Sequence, residues 1–296
     1  MINYSLPRRI WRIIYPALLF LAIQFLVGAL IVVFAAVAVI VQAVAGAAAG
    51  VTDAAVLMEV AMRLISENTI VIVFISNIAT LSVFLPMWLI TRSQAERYKR
   101  ASPVVTGLLT AGFFAGFNII QMVIFGLTDV MKYFPSYDEV NDVFAGGSFA
   151  MLVVSVGIAA PIVEELVFRG VLINRMKWLP VWAAVAIQGV LFGVVHLNLF
   201  QSLYAAIAGV LLGLVYVKYR SIIIAIIGHM AYNLASVLLG EFLTEDNAVI
   251  VLLVCPVVTV VCAVLLIRRG GAVRAGGTDD GAPSGGVHAP YGAQPP

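Results

Sequence analysis

Between Arg12 and Asp53 the chain carries no charged side chain, and most of the residues in that interval are apolar. About 20 such residues suffice to cross a hydrocarbon core about 30 Å thick. Runs of similar length recur down to Arg268. They raise the apolar share to 62% and leave 11% charged, where a soluble domain has about 45–50% and about 25%. The class that follows is an all-α, polytopic membrane protein embedded in a lipid bilayer. The start looks like a secretory leader, with Arg8, Arg9 and Arg12 before an apolar stretch. A leader's apolar region is only about 7–15 residues, so the segment reads as an uncleaved first span, long enough to tilt or to extend past the bilayer.

Eight spans are expected, at roughly 14–45, 69–90, 104–127, 148–169, 181–199, 201–218, 221–241 and 247–267, with ends uncertain by about 2–4 residues. The connections alternate in charge. Arg8, Arg9 and Arg12, then Arg92, Arg97, Lys99 and Arg100, then Arg175 and Lys177, then Lys218 and Arg220, and finally Arg268, Arg269 and Arg274 mark one side. Asp53, Glu59 and Glu67 with Arg63, the acidic stretch after Lys132, and GEFLTEDN mark the other. The positive-inside rule puts both termini in the cytoplasm, and a composition rich in Ala, Val and Gly suggests a bacterial plasma membrane. Four regions follow: three N-terminal spans over 1–147, a polar-bearing core over 148–241, a last span over 242–269, and a Gly/Ala/Pro-rich tail over 270–296 expected to be disordered. His288 in that tail is expected to be solvated.

Other classes find no support. There is no glycine-rich nucleotide loop and no basic stripe beyond ordinary inside loops, so no nucleic acid is expected as a partner. Cys255 and Cys262 share one apolar run and read as small buried hydrophobes. No internal repeat stands out, which weakens an ion-coupled transporter as an alternative.

An ionisable side chain within a span costs about 2.5–3.5 kcal/mol on insertion scales, so it usually faces a partner or a cavity. Here such residues fall in three clusters on neighbouring spans: Glu164, Glu165 and Arg169 in PIVEELVFRG, His196 in LFGVVHLN, and His229 with Asn233 in GHMAYN. Glu165 and Arg169 stand four apart with the acid first, the favourable order for a pair. Glu164 points about 100° away around the helix and needs a cation, a water or a proton. Phe192 can brace His196 four residues on, and His229 shares a face with Asn233. Gly189, Gly193, Gly209, Gly213 and Gly228 would let these helices approach closely. Singly, each cluster has a plain structural reading: charges at a helix end, a buried histidine, polar glue between helices. Together they place one carboxylate, two imidazoles and an amide on adjacent spans. Two histidines and a glutamate suit a zinc-held water, and equally a metal-free glutamate–histidine dyad. Asn233 can steady an oxyanion.

EELVFR, FGVVH and HMAYN fit the patterns EExxxR, FxxxH and HxxxN, and in this order they resemble the CAAX prenyl protease and bacteriocin-processing (CPBP, Abi) family of intramembrane proteases. The resemblance covers roughly residues 148–241. It implies a four-helix catalytic core that cleaves peptide bonds of a membrane-anchored protein or peptide. By that resemblance Glu164 is the general base, Glu165 and Arg169 its supporting pair, His196 a second water- or metal-binding group, and His229 and Asn233 further ligands or oxyanion donors. Zinc is the expected cofactor, with Glu164, His196 and His229 as ligands, and the metal-free mechanism stays open. A non-catalytic immunity or scaffold protein of the same fold is the alternative; substrate and oligomeric state are open. One sum does not close. At about 1.5 Å per residue, His196 lies roughly 10 Å deeper in its span than His229 in its own.

Overall fold

The computed structural model describes residues 5–48, 54–92, 98–99, 102–128, 130–135, 148–242, 245–270 and 273–274. The acidic stretch 136–147 and nearly all of the tail, with His288, lie outside the described residues. Among the described residues eight helices form a bundle: α1 (Leu6–Ala48), α2 (Ala54–Arg92), α3 (Pro103–Thr128), α4 (Phe149–Ile173), α5 (Val181–Val194), α6 (Leu199–Tyr219), α7 (Ile222–Phe242) and α8 (Glu245–Arg268). Seven are long and apolar enough to cross a membrane; α5 is the shorter exception. A spanning helix satisfies its backbone internally, as hydrocarbon demands. The protein is thus an all-α polytopic membrane protein. The only strands among the described residues are Tyr98–Lys99 and Val273–Arg274, paired antiparallel, which tie the α2–α3 connection to the chain just beyond α8.

Two limits differ from the sequence reading. The segment expected as a first loop is helical, because α2 begins at Ala54 and not near residue 69. Its Ala, Leu, Met, Glu and Arg are strong helix formers. α1 runs 43 residues, about 65 Å, twice the hydrocarbon thickness. The other difference lies in the fifth span, which stops at Val194, five residues early. Leu197 there takes φ 57°, a left-handed conformation unusual for a side chain of that kind, and Asn198 caps α6 by accepting from Gln201 N at 3.1 Å. His196 therefore sits in a tight turn, not on a continuing helix.

The basic helix ends gather at one end of the bundle. Arg9 lies over the Trp178 ring and Arg175 over Tyr15. Lys218 Nζ and the Tyr219 hydroxyl both donate to the Leu266 carbonyl, at 2.7 Å each. α4 is sunk among its neighbours, with Val167, Phe168, Val171 and Leu172 fully buried.

Glycines set how closely α5 and α6 approach. Across this antiparallel pair Gly189 on α5 faces Gly209 on α6, Gly193 faces Ser202 and Ala206, and Gly213 faces Gln188 and Val185. A Cβ on Gly193 would strike the Ser202 carbonyl oxygen and stand 2.9 Å from Ala206 Cβ; one on Gly209 would stand 3.1 Å from Gly189 Cα. Packing, not hydrophobicity, associates helices in lipid, so small residues belong at such seams. The two cysteines are free, Cys262 buried and Cys255 half-buried. Gly193→Ala is expected to destabilise the bundle by about 1–3 kcal/mol through overpacking, read as a lower melting temperature in detergent. Gly28→Ala in α1, where a Cβ meets nothing within 4 Å, is expected to leave the melting temperature unchanged or raise it.

Candidate active site

The site is built on an irregular helix. α4 contains two π-helical stretches, Val153–Ala159 and Leu166–Ile173, flanking the α-helical Ala160–Glu165. Such widened turns recur at functional sites. Proline gives the first one a physical reason. The Ala160 N–H bonds back to the Ser155 carbonyl, so in the same register the Val156 carbonyl faces position 161. Pro161 has no N–H to offer. The Asn233 side chain from α7 takes that place and donates to the Val156 oxygen at 2.9 Å. On α2, Asn77 donates to the neighbouring Ser155 carbonyl at 3.3 Å.

Immediately after this stretch come the two glutamates, and the structure treats them differently. Glu165 and Arg169 have no exposed surface and pair at 2.6 Å between Oε1 and Nη1. The pair is not self-contained, as the spacing alone suggested. His229 brings Nδ1 to 2.9 Å from the same Glu165 oxygen, and the Arg169 Nη2 donates to the Gly209 carbonyl on α6 at 2.9 Å. A buried carboxylate can only accept, so His229 carries its proton on Nδ1 toward Glu165. Its other nitrogen, Nε2, then faces Glu164 Oε2 at 3.6 Å. That is too long for a direct hydrogen bond. Glu164 keeps 15% of its side chain exposed, the more accessible carboxylate of the two. The sequence reading left it without a neighbour; α7 supplies one, because the two nitrogens of a single imidazole reach a different glutamate each.

Phe192 organises the rest. Its ring lies edge-on to His196 at 5.0 Å and to His229 at 5.5 Å, and the Arg169 guanidinium stacks over it at 4.7 Å. The depth mismatch between the histidines closes here, since both rings touch one phenyl. The simple arithmetic treated α5 as an ordinary span starting at the surface. In fact the end of α4 is buried through Ile173, Asn174 and Arg175 are half-buried, and Met176 is buried again before α5 begins. His196 Nδ1 meets the Phe192 carbonyl at 2.7 Å. A carbonyl accepts, so Nδ1 carries the proton and the Nε2 lone pair is left for a water or a metal.

All six expected residues thus fall in one region, with Asn233 spending one N–H on the α4 backbone. Two contributors carried no motif: Gln188, which donates to the Gly209 carbonyl at 2.7 Å, and Asn77. A buried amide inside an apolar run was the signal available for both. Zinc fits the donor chemistry, but among the described residues no group of three or more His, Cys, Asp or Glu side chains is placed to hold a metal ion. Glu164 and His229 stand together, and His196 is linked to them through the Phe192 ring.

Removing one partner of a buried ion pair costs about 3–5 kcal/mol, because the other charge is left uncompensated. Arg169→Met is expected to lower stability by that order in a detergent melt. Adding Glu165→Gln to it should recover part of the loss.

Residues 146–235 match the family described as Rce1-like, type II CAAX prenyl endopeptidase Rce1-like. No curated protein and no solved structure matches the chain significantly. The matched stretch contains Glu164, Glu165, Arg169, His196, His229 and Asn233, and ends within α7. The likeness to the Rce1-like type II CAAX prenyl endopeptidase family thus rests on residues 146–235 of an integral membrane protein.

Proposed function

We propose that the chain is an intramembrane endopeptidase that hydrolyses a peptide bond of a membrane-anchored protein or peptide with water activated by Glu164. The observation that carries this reading is the split between adjacent glutamates. Glu165 is buried and its Oε1 meets both Arg169 and His229, while Glu164 is partly exposed beside His229 and makes no direct hydrogen bond to it. One carboxylate holds the site and the other is available for a proton.

In this mechanism a water lies against Glu164, oriented by the free Nε2 of His196. Glu164 takes a proton as the water oxygen attacks the scissile carbonyl carbon. The C–N bond then breaks, and the same proton passes to the leaving nitrogen. The N–H that Asn233 does not spend on Val156 is a donor for the oxyanion. A zinc ion would need His196 to join Glu164 and His229, and the described residues do not form that group of three, so no step is routed through a metal. The alternation of basic and acidic connections supports a cytoplasmic position for both termini, by the positive-inside rule.

The test uses purified protein in detergent and a quenched fluorescent peptide ending in a farnesylated Cys-aliphatic-aliphatic-X sequence. A positioned general base contributes about 10²–10⁴-fold, so Glu164→Ala is expected to lower kcat by that order, and His196→Ala to lower it as well. Cleavage undiminished in both variants would sink the reading. Elemental analysis is expected to find well below one zinc per chain in active protein; one zinc per chain, lost in both His196→Ala and His229→Ala, would replace this mechanism with a zinc-held water.

A further inference from the structure

Gln188 is an amide with no exposed surface in the middle of α5. Its Nε2 faces two carbonyls, Val185 O at 3.0 Å and Gly209 O at 2.7 Å. Both can only accept, so the amide orientation is fixed with nitrogen toward them. Its Oε1 is buried and has no hydrogen-bond partner. A half-satisfied buried amide is costly, and an apolar side chain of the same volume would fill the space without that cost. What the amide does instead is hold the Gly209 carbonyl. That carbonyl is also the acceptor for Arg169 Nη2 at 2.9 Å. Arg169 in turn grips the Glu165 oxygen that receives His229 Nδ1.

Gly209 can be held there because it is glycine. A Cβ would stand 2.9 Å from Phe192 Cδ1 and 3.1 Å from Gly189 Cα, so any side chain would push α6 off α5 and move the carbonyl. Gln188 also stands one helical turn before Phe192, whose ring supports Arg169 and both histidines. One stripe of α5 therefore reaches the network at two points: the amide through a carbonyl, the phenyl through ring contacts.

We propose that Gln188 is a positioning residue of this site. By fixing the Gly209 carbonyl it sets the Arg169 guanidinium, and through Arg169 the Glu165 carboxylate and the His229 ring that faces Glu164. The role rests on the hydrolytic reading for its effect on turnover; the coupling to Arg169 does not. Gln188 touches neither substrate nor reacting atoms, so its loss acts on geometry. A misplacement of about 1 Å far from the chemistry can cost about 100-fold.

The test has two arms on full-length protein in detergent. In the first, Gln188→Met, close in volume and without donors, is assayed on the farnesylated quenched peptide. The expected result is a kcat lower by about 10- to 100-fold at unchanged KM. An unchanged kcat in folded variant overturns the proposal, and so does a loss confined to KM. Gln188→Leu replaces it if the methionine variant does not fold. The second arm needs no substrate: melting temperatures of Gln188→Met, Arg169→Met and the double variant. The expected result is that Gln188→Met shifts the melting temperature clearly less in the Arg169→Met background than in the wild type, because without Arg169 the carbonyl has nothing left to position. Strict additivity overturns the proposal. If the wild type does not cleave the peptide, the hydrolytic reading fails on its own, and the second arm still decides whether Gln188 acts through Arg169.

Discussion

A fully buried ion pair inside a membrane protein is the constraint around which this bundle is arranged. Glu165 and Arg169 have no exposed surface, and an uncompensated charge in that setting would be among the most expensive features a chain could carry. Three neighbouring helices supply something to offset it. α6 gives a backbone carbonyl, α7 an imidazole, α5 an aromatic face and an amide that steadies the carbonyl. These contacts in turn decide where α5, α6 and α7 sit. The same interactions that make the pair tolerable bring His196, His229 and Glu164 into one region.

The division of labour between two adjacent glutamates follows from this. Their side chains leave the helix about 100° apart, so they cannot share one environment. One is enclosed by the pair and the other stays at the edge. A single histidine spans both, and its two nitrogens give each carboxylate a different relation to the same ring. The widened turns on either side of Ala160–Glu165 place these residues on an irregular stretch of backbone. Asn233 answers the carbonyl that Pro161 leaves without a donor, which couples the last motif to the backbone just ahead of the first.

Much of this was legible in the sequence. Apolar runs fixed the class and most span limits, because length against bilayer thickness is a strong constraint. The three polar clusters named residues that the fold draws together on α4, α7 and the turn after α5, because a charge in a span has few innocent explanations. What escaped has physical reasons too. The early stop of α5 depends on Leu197 adopting a left-handed conformation, which no local pattern announces for leucine. The helical start of α2 was hidden by Glu59, Arg63 and Glu67, which read as loop charges although their neighbours are good helix formers. The link from Glu165 to His229 joins residues 64 positions apart, and pairing by spacing within one helix cannot see it. Gln188 was passed over because a neutral amide raises less alarm than a charge.

The central claim is that Glu165 holds the site and Glu164 works in it. The most direct measurement is the melting temperature of Glu164→Gln beside Glu165→Gln, on purified protein in the same detergent. The account predicts a steep fall for Glu165→Gln, which weakens the buried network, and a value close to wild type for Glu164→Gln. Equal falls, or the reverse order, would contradict it.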